Sequence, residues 1–265
     1  MVSRFRAIYA RRDILRLLIR RDLKIKYADS KLGYVWSVLD PLLMAGVYWF
    51  VFTQIFQRGG VGREPYLLFL LLGILPWMWA NGVIRDSMRA LTADAKLVRS
   101  SNLSREVWIL RIVGSKVMEF FFSLPVLLLF VLLYTREPSL YLLAFPLAVL
   151  IQTVFLVGVG LTLAPLSVLF ADIKRLLRVV MRVLFYLSPI IYGVRDVQQR
   201  APEWVSTIYV LNPLAGTFDL YRAAFFPDFF AGWTEVVVAA VVSLGFLALG
   251  MVVFARFEGR VLKEI

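Results

Sequence analysis

Long apolar runs alternate with short polar ones along the whole chain. A helix needs about 20 apolar residues to cross ~30 Å of hydrocarbon. Five runs meet that length: residues 34–56, 66–84, 117–134, 140–170 and 233–255. The fourth is longer than one span requires and carries Pro146 and Pro165, which predicts tilt or a kink. A further run, residues 183–194, is short. It reads as a span, the fifth in chain order, only if it begins near Leu176, with Arg178 and Arg182 reaching back to the interface along their apolar stems. The pattern predicts an all-α membrane protein with three parts: an N-terminal segment (1–33), a domain of six transmembrane helices (34–255) and a short tail (256–265).

Three segments do not read as spans. Residues 11–27 (RRDILRLLIRRDLKIKY) place Ile14, Leu15, Leu17, Leu18 and Ile25 on one helical arc, broken by Arg21 and Asp22. This is an imperfect amphipathic helix suited to the anionic cytoplasmic leaflet, either as an anchor that sets topology or as a platform for a lipid head group or partner. Residues 92–106 form the longest polar stretch between spans. There Thr92 or Asp94 could cap a short helix over 95–101, which would serve as a docking element or be an ordinary loop. Residues 195–232 are rich in aromatics yet interrupted by Pro202, Pro213, Gly216 and Pro227. They predict short helices lying in or dipping into the outer leaflet, with part of the aromatic content serving as an interfacial belt.

Composition sharpens this. Hydrophobic residues make up 60% of the 265 and charged residues 18%, too apolar for a soluble domain to bury. Yet the net charge is +12. With both termini in the cytoplasm, Lys and Arg number 10 in residues 1–33, 7 in 85–116, 4 in 171–182 and 3 in the tail, against 6 in the alternate loops. That asymmetry is the positive-inside signal, and it requires an even number of spans. The charge therefore reads as membrane topology rather than nucleic-acid binding. The first 33 residues are charged throughout and offer no apolar core for a cleavable leader.

Candidate chemistry is mostly excluded. The chain has no Cys and no His, so thiolate metal sites, catalytic cysteines and imidazole relays are ruled out. It contains no G-x-x-x-x-G-K-[ST] phosphate loop. Gly158 and Gly160 lie inside an apolar span and read as close helix packing. The acids near the spans, Asp40 and Glu119, stand by an interface with basic neighbours, which predicts structural pairing rather than an ion path. What remains is aromatic. Trp49, Phe52 and Phe56 follow i, i+3, i+7 spacing with Tyr48 beside them, and Phe185, Tyr186 and Tyr192 stand on the fifth run. Such stripes either pack against lipid and neighbouring helices or form a wall on which sugar rings slide.

Taken together, the motifs resemble the permease subunits of ABC-2-type polysaccharide exporters, which carry O-antigen, capsule, teichoic acid or galactan chains. The matching stretches are RRDLKIKYADSKLGYVWSVLDPLLMAGVY (20–48), LLGILPWMW (71–79), LVRSSNLSREVWIL (97–110), FADIKRLL (170–177), YLSPIIY (186–192) and Asn212-Pro213 with Tyr221-Arg222. Leu103-Ser104 replace the aromatic-Pro pair that often precedes the family's Arg-Glu.

The resemblance implies a homodimer of six-span subunits above two separate ABC ATPase subunits. ATP and Mg would be bound there and not by this chain, which is then no enzyme. It implies a polyprenyl-diphosphate-linked polysaccharide moving outward across the inner membrane. Arg20, Arg21, Lys24, Lys26 and Lys31 would attract the lipid diphosphate. Tyr48, Trp49, Phe52, Phe56, Phe185, Tyr186 and Tyr192 would wall the sugar path. Lys96, Leu97, Arg99, Arg105 and Glu106 would couple to the ATPase. Tyr209, Asn212, Pro213, Tyr221 and Arg222 would shape the outer re-entrant exit. The other readings are a drug or lipid exporter of the same superfamily, a membrane-embedded glycosyltransferase and a membrane assembly protein.

Overall fold

Residues 66–80 are apolar on every side, the pattern of a helix buried in protein or in lipid. In the computed structural model, which describes residues 11–28, 31–56, 65–100, 103–134 and 140–264, this helix is the centre of the bundle. In chain order the helices are α1 (Arg12–Tyr27), α2 (Trp36–Phe50), α3 (Tyr66–Ser87), α4 (Ala95–Ser100), α5 (Glu106–Tyr134), α6 (Ala144–Leu169), α7 (Asp172–Leu187), α8 (Val194–Arg200), α9 (Glu203–Val210), α10 (Pro213–Ala223) and α11 (Trp233–Glu264). No strand occurs among the described residues. Arg58, Arg63 and Arg136, counted above as outer-loop charge, and Ser101, the expected end of α4, lie outside them.

Among the described residues, five stretches are long and apolar enough to cross a membrane: Gly33–Ile55, Tyr66–Ser87, Glu106–Leu133, Tyr141–Leu169 and Trp233–Glu264. They match five of the six expected spans. Around α3, whose Leu68 to Leu72 are all buried, pack α2, α5, α6 and α10. The closest pair is α6 with α11. A β-carbon on Gly250 would lie 2.3 Å from the Gly158 carbonyl oxygen, and one on Gly158 would lie 2.4 Å from the Leu247 nitrogen. Gly158 and Gly160 are thus contact points for close helix packing, as expected. Two polar groups inside the bundle are tied to backbone: Gln152 Nε2 donates to Pro76 O at 2.8 Å and Ser167 Oγ to Met88 O at 2.9 Å.

The expected fifth span is different. α7 has 16 residues, about 24 Å at ~1.5 Å per residue, short of the ~30 Å of hydrocarbon. It starts at Asp172, four places before Leu176, and stops at Leu187, seven places short of Val194. Ser188, Pro189 and Ile190 then continue as buried, non-helical chain. Pro189 favours extended geometry at Ser188, whose ψ is 151°, and so ends the helix. α7 begins where α6 ends. Its Phe185 ring packs on Trp77, midway along α3, and Ile190 reaches Gly73, one turn nearer the end of α3 that begins with Tyr66.

α1 also departs from its expected pattern. Its apolar residues do not form one presented arc. Leu18 and Leu23 are buried, chiefly against α5, whereas Ile14, Leu17 and Ile25 are exposed. Arg21 and Asp22, which interrupt the arc, turn towards charged partners on the α3–α5 connection.

Candidate functional site

The structure gathers functional side chains in three places. The first is a cavity of about 600 Å³ between α2, α3 and α7. Tyr48 of α2 and Trp77 of α3 both pack on Phe185 of α7, at ring-centroid distances of 5.9 and 5.5 Å. Tyr186 stands edge-on to Phe185 at 5.2 Å. Tyr192 OH donates to Tyr186 O at 2.8 Å and so fixes the chain just beyond α7. Towards the other end of α3 the cavity is lined by Asn81, Arg85, Arg178 and Arg182. Its walls therefore grade from aromatic rings to guanidinium groups within one volume.

The expected aromatic wall is split by this arrangement. Tyr48, Phe185 and Tyr186 line the cavity, and Phe52 lies on the half-buried side of α2. Trp49 and Phe56 are 40% and 56% exposed and lie outside the cavity. The π-helical turn Val51–Ile55 breaks the 3.6-residue phase that the spacing of Trp49, Phe52 and Phe56 assumed. Trp77, Asn81, Arg85, Arg178 and Arg182 were not among the expected site residues. The signal available for them was Arg178 and Arg182 at i, i+4 on a helix with an aromatic end.

The second place is at the end of the bundle where α3 stops. α4 spans Ala95–Ser100, close to the expected 95–101, with Lys96, Leu97 and Arg99 exposed and Val98 buried as its anchor. The carboxylate of Asp94 does not cap α4. It accepts from Arg111 of α5 and from Arg21 of α1, the latter at 3.0 Å. Arg111 Nε also lies 2.9 Å from Asp22. Burial would raise the Asp94 carboxyl, but its bonds to Arg111 and Arg21 outweigh that and hold it below the ordinary value. This knot ties α1, α4 and α5 at one point. Arg105 lies 4.0 Å from Glu258 of α11, and Glu106 opens α5.

The expected diphosphate-attracting cluster also divides. Arg21 is held by Asp94, and Lys26 Nζ donates to Glu119 at 2.7 Å. Arg20, Lys24 and Lys31 are exposed. Glu119 is paired as expected, with Lys116 as well as Lys26. Asp40 is exposed, lines a recess and has no ion-pair partner among the described residues.

The third place is the opposite end. Asn212 caps α10, its Oδ1 accepting from Leu214 N at 3.0 Å, while its Nδ2 donates to Ser188 Oγ at 3.2 Å, and Pro213 fills the first helical position. Tyr209 OH donates to Tyr192 OH at 3.4 Å. Arg222 is buried, its guanidinium 3.8 Å from the Phe69 ring centroid and bonded to Ile190 O and Tyr192 O. Tyr221 is fully buried among Phe120 and Phe145. Tyr221 and Arg222 thus hold this end of the bundle in place from within.

The family profile described as "ABC-2 type transporter" matches residues 14–226. An O-antigen export system permease protein, RfbA, of Klebsiella pneumoniae is 32% identical over 214 residues, 80% of each chain. RfbA of Myxococcus xanthus is 28% identical over 226 residues, 85% of each. The polysialic acid transport protein KpsM of Escherichia coli is 20% identical over 255 residues, 93% of this chain and 94% of its own. With its helical bundle and the extent of these matches, the chain belongs to the ABC-2 type transporter family.

Proposed function

We propose that this chain is the permease subunit of an ATP-driven exporter that moves a polyprenyl-diphosphate-linked polysaccharide outward across the bacterial inner membrane. The observation that carries this reading is the graded cavity between α2, α3 and α7. Tyr48, Trp77, Phe185 and Tyr186 offer flat faces to sugar rings, while Arg178 and Arg182 suit a diphosphate. The names of the relatives supply the class of cargo.

In this reading both termini are cytoplasmic and the chain crosses six times. α7 supplies most of the fifth crossing and residues 188–193 complete it. Non-helical backbone is tolerated at that depth because Arg222 and Tyr66 satisfy its carbonyls. Helices α8 to α10 form the outer re-entrant segment, with Tyr209, Asn212 and Pro213 setting its shape and Tyr221 and Arg222 anchoring it. A second copy faces the exposed sides of α2 and α7, and Trp49 and Phe56 join the sugar path there. Arg20, Lys24 and Lys31 attract the diphosphate first, and Arg178 and Arg182 of α7 receive it.

Two ABC ATPase subunits, which bind ATP and Mg, dock on α4. Lys96, Leu97 and Arg99 contact them, and Arg105 and Glu106 pass the movement into α5. The knot at Asp94 lets a push on α4 reach α1 and α5 together.

Depletion of the protein tests this. Lipid-linked glycan should accumulate on the cytoplasmic side, and the purified protein should bring an ABC ATPase with it. Unchanged glycan distribution after depletion would refute the export reading, as would accumulation of an unglycosylated lipid or a drug in its place.

A further inference from the structure

A second recess, of about 190 Å³, lies between α1, α2, α3 and α5, on the side of α2 away from the aromatic contacts with α7. Its lining includes Lys26, Trp36, Asp40, Arg85, Lys116 and Glu119. The charges are not all spent on one another. Glu119 is satisfied by Lys26 and Lys116, and Lys116 also reaches Asp86 at 3.0 Å. Asp40 and Arg85 are of opposite sign and line the same recess, yet neither has an ion-pair or hydrogen-bond partner among the described residues. Both side chains are exposed and open to a ligand.

We propose that the recess binds the head group of one phosphatidylethanolamine molecule. The acceptor at Asp40 and the donor at Arg85 call for a small zwitterion with a cationic and an anionic end. Asp40 accepts N–H bonds from the primary ammonium, which carries three donors. The phosphate takes Arg85. A glycerol head group brings no cation to Asp40, and a choline head group brings one with no N–H. The volume is several times the ~30 Å³ of one water and leaves room for such a head group.

The surroundings fit a lipid rather than a soluble zwitterion. Trp36, Tyr34, Met118 and Phe122 are exposed on the flanking faces of α2 and α5, and the Tyr34 and Phe122 rings meet edge-on at 5.0 Å. Acyl chains would lie along them. Arg85 is also the end of α3 at which the cytoplasmic knot sits, so the recess is at head-group depth and not in the hydrocarbon.

The test uses the purified, delipidated full chain and native mass spectrometry with short-chain phosphatidylethanolamine, phosphatidylglycerol and phosphatidylcholine. One phosphatidylethanolamine should bind per chain, with a preference of about tenfold or more over the other two, the worth of one charge-assisted hydrogen bond. Asp40→Asn should abolish the preference and Asp40→Glu should retain it. Equal binding of the three lipids by the unaltered protein would overturn the proposal, as would an unchanged preference in Asp40→Asn. If Asp40→Asn does not fold, competition by phosphatidylcholine on the unaltered chain decides, because the two lipids share the phosphate and differ in the N–H donors. Neither ATPase nor export enters the measurement, so its failure leaves the exporter reading untouched.

Discussion

Arg222 Nη2 donates to the carbonyl oxygen of Ile190 at 2.6 Å, joining α10 to the non-helical chain that follows α7. The approach depends on Gly73, where a β-carbon would lie 2.5 Å from the same oxygen and 2.7 Å from the guanidinium. Arg222→Leu leaves the carbonyls of Ile190 and Tyr192 without their donor, at a cost of about 1–3 kcal/mol for each buried group. The purified protein should melt several degrees lower, and protease should cut between residues 188 and 212 sooner. Gly73→Ala should reproduce the defect, because a methyl group displaces the clamp. Lysine at 222 should restore little, since one ammonium cannot serve the same set of carbonyls.

The cavity itself makes a second prediction. Tyr48→Leu combined with Phe185→Leu removes two stacked faces while keeping apolar volume. Export should fall at least tenfold while ATP hydrolysis by the complex persists. Trp77→Leu should add to the loss. The readout is surface glycan against ATPase rate in the same preparation. Intact export in the double variant would show that the rings only pack.

Arg111 supports a third. Its side chain is 6% exposed and holds Asp22 and Asp94 together. Arg111→Met leaves Asp22 and Asp94 sharing Arg21 alone, and should cost about 1–3 kcal/mol. A milder change, Asp94→Asn, keeps a hydrogen-bond acceptor. It should leave the complex assembled but weaken the response of ATPase rate to substrate. Assembly is checked by co-purification and coupling by stimulated against basal hydrolysis.

Acid should act on the same knot. Because the Asp94 carboxyl is held below its ordinary value of about 3.9, its stabilisation is full above that value and is lost as pH falls through the lower folded value. Melting temperature should therefore drop more steeply below about pH 4 in the unaltered chain than in Asp94→Asn. Parallel curves would remove Asp94 from the acid response.

Close packing of α6 on α11 gives the last. Gly250→Leu forces a side chain into the Gly158 backbone, and overpacking of that kind costs about 1–3 kcal/mol or more. Gly245→Leu, where a β-carbon meets nothing within 4 Å, should be neutral. Thermal stability in detergent checks both.

The sequence by itself determined the five long spans, the short helix at Ala95, the broken outer segment and the glycine contact at Gly158. Each is written in local terms: a run of apolar residues, a breaker, or a small residue inside a span. Tertiary structure decided the rest. Pro189 marks the end of α7 locally, but the buried non-helical chain after it is tolerated because Arg222, distant in sequence, supplies donors to its carbonyls. Which aromatics share a cavity depends on the phase change after Val51 and on the place where α7 meets α3. That separated Tyr48 from Trp49 and brought in Trp77. Likewise, only the fold shows that Arg21 and Lys26 are already paired while Arg85 and Asp40 are not. Hydropathy along the chain is set by each residue and its near neighbours, so spans are legible. Charge pairing and ring stacking are set by residues brought together from far apart, and one sequence read along its length carries no record of them.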